Sequence, residues 1–131
     1  MTDALTEQEL AFLHSMFDLA RTGDTGRLAA EIDAGLPVNL TNGAGDSLLI
    51  LAAYHDHPDT VRMLLERGAD TGRVDDRGQT ALGAAVFRRS ELSVRLLMGA
   101  GADPGLGSRP ALDIARFFDL PEMLRLLTGD A

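Results

Sequence analysis

The side chains able to do chemistry are few and poorly spaced for it. His55-Asp56-His57 is the one cluster that suggests a metal, but a zinc centre needs three or four converging ligands, and the third histidine, His14, is far away in the chain. There are no cysteines, which removes thiolate ligands, disulfides and a thiol nucleophile, and makes a reducing, cytoplasmic setting the natural expectation. Ser15, Ser47, Ser90, Ser93 and Ser108 show no Gly-x-Ser-x-Gly elbow. Gly99-Ala100-Gly101 and Gly105-Leu106-Gly107 follow no strand, as a nucleotide loop would, and read as helix-stop and turn glycines. Asp75-Asp76 falls in an expected turn and should be solvated, with no pocket to set one carboxyl apart as an acid or base. No catalytic residue, cofactor or metal is therefore expected.

Composition narrows the class further. The chain has 131 residues, 45% of them hydrophobic, which suits one domain and one core. Its acidic start lacks the basic and apolar stretches of a signal peptide. The longest apolar run, Leu48 to Tyr54, is about a third of the roughly 20 residues that span a bilayer, so no membrane partner is expected. Twelve basic residues, all arginine, against twenty acidic ones give a net charge of −8. Residues 1–59 hold ten acids against Arg21 and Arg27, whereas residues 60–131 hold ten of each sign. Such a surface repels phosphate backbones, and nucleic acid is a poor partner for it.

The elements that would position any functional group emerge from self-comparison. Gly35, Gly68 and Gly101 lie 33 residues apart, as do Leu28, Val61 and Val94, and Met16, Leu49 and Leu82. Ala52 pairs with Ala85 and Leu64 with Leu97 at the same spacing. A last unit keeps the pattern after a three-residue deletion, with Leu112, Ala115 and Leu124 standing 30 residues after Leu82, Ala85 and Val94. A period in this range marks a solenoid whose units cannot bury their apolar faces alone. Each unit offers a small residue in its first apolar segment (Ala52, Ala85, Ala115) and a stripe at i, i+3, i+4 in its second, such as Val61, Leu64 and Leu65. Pro58 and Pro121 suit the first turn of a second helix, Asp24 and Ser90 its N-cap, and the 33-spaced glycines its stop. Thr6-Glu7-Gln8-Glu9 predicts a capping box opening a longer first helix, with Leu10, Leu13 and Phe17 facing inward to seal the N-terminal end.

At these positions the sequence resembles the ankyrin family, in a small bacterial-type form. The family's Thr-Pro-Leu-His-x-Ala survives in part as Ser47-Leu48-Leu49-Ile50-Leu51-Ala52 and Thr80-Ala81-Leu82-Gly83-Ala84-Ala85. Its Leu-Leu-x-x-Gly-Ala-Asp resembles the unit ends Leu64-Leu65-Glu66-Arg67-Gly68-Ala69-Asp70 and Leu97-Met98-Gly99-Ala100-Gly101-Ala102-Asp103, the strongest matches. The resemblance runs from about Leu13 to Leu127 and implies an all-α solenoid of stacked helix-turn-helix units, about four counting both ends. As a single domain it would divide into an N-terminal cap (1–36), two repeats (37–69 and 70–102) and a shortened C-terminal cap (103–131). His57 then falls where such repeats carry a structural histidine.

What the resemblance implies for function is the holding of another protein against a concave face of turn tips and first helices. By position this gives Asp46, Tyr54 and His55 in one unit and Asp76, Arg77, Phe87 and Arg88 in the next, with Phe117 and Phe118 continuing the series. Tyr54, Phe87 and Phe117 occupy one equivalent position, preceded in the first unit by Arg21, in a chain only 5% aromatic. Aromatic and arginine side chains are the types enriched at binding hot spots. Three alternatives stay open at this point: the rings fill space between helices, the arginines are merely solvated, or the units assemble with copies of themselves. The expected module is monomeric alone and acts as an adaptor, inhibitor or stabiliser.

Overall fold

The computed structural model describes residues 4–129, which form eight helices in chain order. They are α1 (Glu7–Thr22), α2 (Thr25–Asp33), α3 (Leu48–Tyr54), α4 (Pro58–Glu66), α5 (Ala81–Phe87), α6 (Glu91–Gly99), α7 (Ala111–Phe117) and α8 (Pro121–Thr128). Each odd helix packs on the even helix after it. Between pairs, α1, α3, α5 and α7 lie side by side in one layer, and α2, α4, α6 and α8 in a second. The architecture is an all-α repeat solenoid of about four units.

The 33-residue pattern is the core. Met16, Leu49 and Leu82 are buried in the first layer, and Leu28, Val61 and Val94 in the second, with Leu64 and Leu97 beside them. Ala52, Ala85 and Ala115 are also buried, and their size lets adjacent first-layer helices approach. Full burial of each larger side chain stabilises by about 1.5–3 kcal/mol. The pattern fades where stacking stops, and Leu112 and Leu124 in the last pair are only half-buried. At the other end Phe17 is buried and Leu13 half-buried, but Leu10, expected to face inward, is exposed together with Leu5 and Phe12. The first turns of α1 have no neighbouring helix to cover them, because α3 is only seven residues long against the sixteen of α1.

Local signals set the helix ends. Thr6 and Glu9 form the capping box, with reciprocal hydrogen bonds of 2.9 and 3.1 Å. Ser47 and Thr80 accept from the amides of Ile50 and Gly83 and start α3 and α5. Asp24 and Ser90 cap α2 and α6, and Pro58 and Pro121 open α4 and α8. The hinge between the helices of a pair uses left-handed backbone at equivalent positions: Gly23, Asp56, Arg89 and Asp119 have φ of 77°, 63°, 57° and 52°. Only the first of these sites needs glycine for space, since a Cβ on Gly23 would sit 2.6 Å from His57 Nδ1.

Between pairs the chain makes stacked turns. Asn42 Oδ1 accepts from the amides of Ala44 and Asp46, and 33 residues later Asp75 Oδ1 accepts from Arg77 and Gln79. The turns join edge to edge through Asp76 N–H to Ala44 O (3.0 Å) and Arg109 N–H to Gly78 O (3.2 Å). This places the side chains of one turn directly against the next.

Candidate partner-binding surface

The layer of odd helices, with its turns, carries an aromatic row. Tyr54, Phe87 and Phe117 are the last residues of α3, α5 and α7. Tyr54 and Phe87 stack with 6.2 Å between ring centroids and 3° between planes. Phe117 does not extend that stack. Phe87 instead meets Phe118 edge-on at 5.8 Å, and Phe117 leans against Phe118 at 4.9 Å. Among the described residues no first-layer helix lies beyond α7, and Phe117 is left 82% exposed. Phe87 is 43% exposed, whereas Tyr54 is half-buried and packs partly on the core. Tyr54 is thus both filler and surface.

Between this row and the turns lies a groove of about 460 Å³. Tyr54, Phe87, Ile114, Phe117 and Phe118 supply its apolar walls, and Arg77, Gln79, Arg109 and Asp113 its polar rim. The size and mostly apolar lining match those of a ligand cleft. Arg77 sits 6.0 Å from the Tyr54 ring centre and Arg89 5.8 Å from that of Phe118, both within cation–π range. Arg88 lies just outside, in a smaller depression with Phe87, Arg89 and Phe118. His55 is exposed and edge-on to Tyr54 at 5.2 Å; desolvation and the charges of Arg21, His57 and Arg88 hold its pKa below the usual value.

The aspartates of the turns divide differently from expectation. Asp76 is exposed, but Asp46 and Asp75 are buried, at 6% and 5% exposure. Asp75 is therefore not solvated, and Asp46 cannot serve as a partner-facing residue: the edge-to-edge stacking of the turns covers both. Asp46 Oδ1 and Asp75 Oδ2 find no donor elsewhere, and Arg77 Nη2 stands at 3.9 and 3.5 Å from them, beyond strong hydrogen bonding. The two carboxyls face each other across the stacked turns and their titrations are coupled. Burial, with the facing Asp75 carboxyl, pushes Asp46 up to about 6. Burial also acts to raise Asp75, but the Asp46 carboxyl, the Gln79 and Arg77 amides and the Arg77 charge together hold it below the ordinary carboxylate value.

His57 is structural here. His57 Nε2 lies 2.7 Å from the carbonyl oxygen of Arg21 and ties the start of α4 to the end of α1. No group of three or more histidine, aspartate or glutamate side chains able to hold a metal occurs among the described residues, and no helix there is long and apolar enough to cross a membrane. Sequence reading missed the Asp46–Asp75 contact and the roles of Arg109 and Ile114. The signal for the first was present in the 33-spaced turn residues Asn42 and Asp75, whose register brings the end of one turn against the start of the next.

The family model for ankyrin repeats (3 copies) matches residues 18–108. The chain belongs to the ankyrin-repeat family. An ankyrin repeat protein of Pseudomonas aeruginosa is 51% identical over 67 residues, 48% of this chain and 39% of that protein. An ankyrin repeat-containing protein of Treponema pallidum is 35% identical over 111 residues, 82% of this chain and 37% of that protein. Human NF-kappa-B inhibitor epsilon is 32% identical over 77 residues, 59% of this chain and 15% of that protein. The chain thus spans less than two fifths of the length of these relatives. Ankyrin repeats are in general protein–protein interaction modules, and the fold is a non-catalytic one.

Proposed function

We propose that this ankyrin-repeat chain holds another protein against the concave side formed by its turns and odd helices, and that it catalyses no reaction itself. The observation that carries the reading is the groove, where Phe87, Phe117 and Phe118 remain exposed beside Arg77 and Arg109. Exposure of such rings to water is unfavourable in the free chain, and a partner that covers them gains area with little rotamer freedom lost. Tyr54 braces the groove from the core side, and exposed His55, Asp76 and Arg88, outside its lining, would extend the contact. Whether the module serves as adaptor, inhibitor or stabiliser depends on what it holds, and the inhibitor named among its relatives illustrates one such use.

A second reading is self-assembly without a foreign target, favoured by exposed Leu5, Leu10 and Phe12 on the acidic start of α1. Light scattering of the purified chain separates the two. A monomer at micromolar concentration supports the module, and a stable closed oligomer supports assembly. Affinity capture from native lysate, repeated with Phe87→Ala, then tests the surface itself. Capture that survives Phe87→Ala and Phe117→Ala together would place the partner elsewhere and overturn the proposal.

A further inference from the structure

Four of the six aromatic residues in the chain, Tyr54, Phe87, Phe117 and Phe118, gather in one groove. The charges around it are as unevenly distributed. Most arginines of the molecule are neutralised by a neighbour: Arg21 by Asp18, Arg27 by Glu31, Arg67 by Asp33, Arg73 by Asp70, Arg95 by Glu91 and Arg125 by Glu122, all within 3.3 Å. Among the described residues Arg62, Arg88, Arg89 and Arg109 make no ion pair, and three of these four stand beside the groove rings. The one acid on the groove rim, Asp113, is partnered by Arg116 at 3.7 Å. A molecule of net charge −8 thus keeps a local cationic excess where its apolar surface is exposed.

Resting on the proposed binding role, we infer that the groove accepts a segment of a partner protein in which an aromatic or long aliphatic side chain is flanked by carboxylates. The apolar side chain enters between Phe87 and Phe118, and the carboxylates meet Arg109 and Arg88. A volume of about 460 Å³ suits one or two side chains rather than a whole domain face. Arginine's planar fork matches a carboxylate bidentately, and such pairs fix register as well as charge. The unpaired arginines favour acids locally, while the acidic remainder of the molecule repels a polyphosphate, which separates a peptide from a nucleic acid as occupant. Attraction of this kind is salt-dependent.

The test is selection of a random peptide display library on the whole chain, followed by fluorescence anisotropy of the recovered peptides. Expected are sequences with Asp or Glu within a few residues of Phe, Trp or Leu, weakened about tenfold or more by Phe87→Ala and by Arg109→Glu. Raising salt should weaken them as well. Arg62→Glu, which reverses the unpaired arginine of the other layer, should leave affinity unchanged and controls for net charge. Recovery of basic or uncharged peptides, equal loss with Arg62→Glu, preferential binding of a single-stranded oligonucleotide, or no recovery at all would each overturn the inference. Uncharged peptides that still depend on Phe87 would defeat the charge rule while leaving the binding role intact. Captured proteins indifferent to Phe87 would defeat the role itself. A peptide matching residues 5–13 that binds at Phe87, together with concentration-dependent oligomers, would identify a second copy as the occupant and overturn the inference of a foreign partner.

Discussion

The two layers of this solenoid differ in where arginines without acids meet exposed rings. On the even helices arginines are spent locally, as in Arg95–Glu91 and Arg125–Glu122 one turn apart, or in the bidentate Arg67–Asp33 contact that ties α4 to the end of α2 at 2.9 and 3.0 Å. On the side of the odd helices and turns, Arg88, Arg89 and Arg109 stand without acids beside half-exposed rings. The difference teaches where the fold ends and function begins. Apart from Arg62 on α4 the even layer pairs its arginines, whereas the odd layer and its turns leave three of them beside exposed aromatic rings.

That contrast can be broken most strongly from beneath. Leu64→Ala or Leu97→Ala, both fully buried in the even layer, should cost about 2–5 kcal/mol in urea denaturation. If either cost under about 1 kcal/mol, the periodic core would not be what supports the stack. Next in size, Phe87→Ala should weaken partner binding by about 2–4 kcal/mol in calorimetric titration while changing folding stability by less than that. A fall in stability as large as that of Leu64→Ala would make the ring part of the core and erase the distinction between layers.

Between these lies a pH effect at the turns. Burial and the facing Asp75 push Asp46 up to about 6 in the folded chain, so between the ordinary carboxylate value and about 6 the native chain binds more protons than the unfolded one. Its contribution to stability therefore falls as pH rises from about 4 to about 6. Asp75 acts in the opposite sense at lower pH: its contribution is present above the ordinary value and is lost as pH falls through its depressed one. Asp46→Asn should remove the first slope and stabilise the protein at pH 7–8 by about 1–2 kcal/mol, since the amide donates to Asp75 without adding charge. A destabilised variant with an unchanged pH profile would show that Asp46 is not raised by its neighbour. The smallest effects belong to the surface of the even layer. Ser90→Ala should cost about 1 kcal/mol through loss of the α6 cap, and Arg95→Ala only about 0.3–0.5 kcal/mol, because its partner Glu91 is exposed.

The fold was legible because repetition is a strong signal. The residues 33 apart, Leu28, Val61 and Val94 or Met16, Leu49 and Leu82, all became core, and the caps Thr6, Asp24 and Ser90 all make their hydrogen bonds. The site was legible in part. Periodicity placed Tyr54, Phe87 and Phe117 at one helix end, but which rings touch depends on what stands next to each, and at the last helix Phe118 takes the place that Phe117 was expected to fill. Asp46 was misassigned for a related reason. Position within one unit predicts an exposed turn tip, whereas burial here comes from the stacking of the following turn, which covers Asp46 with Asp75 and Arg77. Leu10 failed in the opposite direction, because an apolar spacing does not reveal that the neighbouring helix is too short to reach it.

The difference between the two layers is tested most directly by hydrogen–deuterium exchange of the whole chain with and without a bound partner or selected peptide. Added protection in the turns at 74–79 and 106–110 and at the ends of α5 and α7, with α4 and α6 unchanged, is the expected result. Protection confined to the even helices, or spread evenly over both layers, would contradict it.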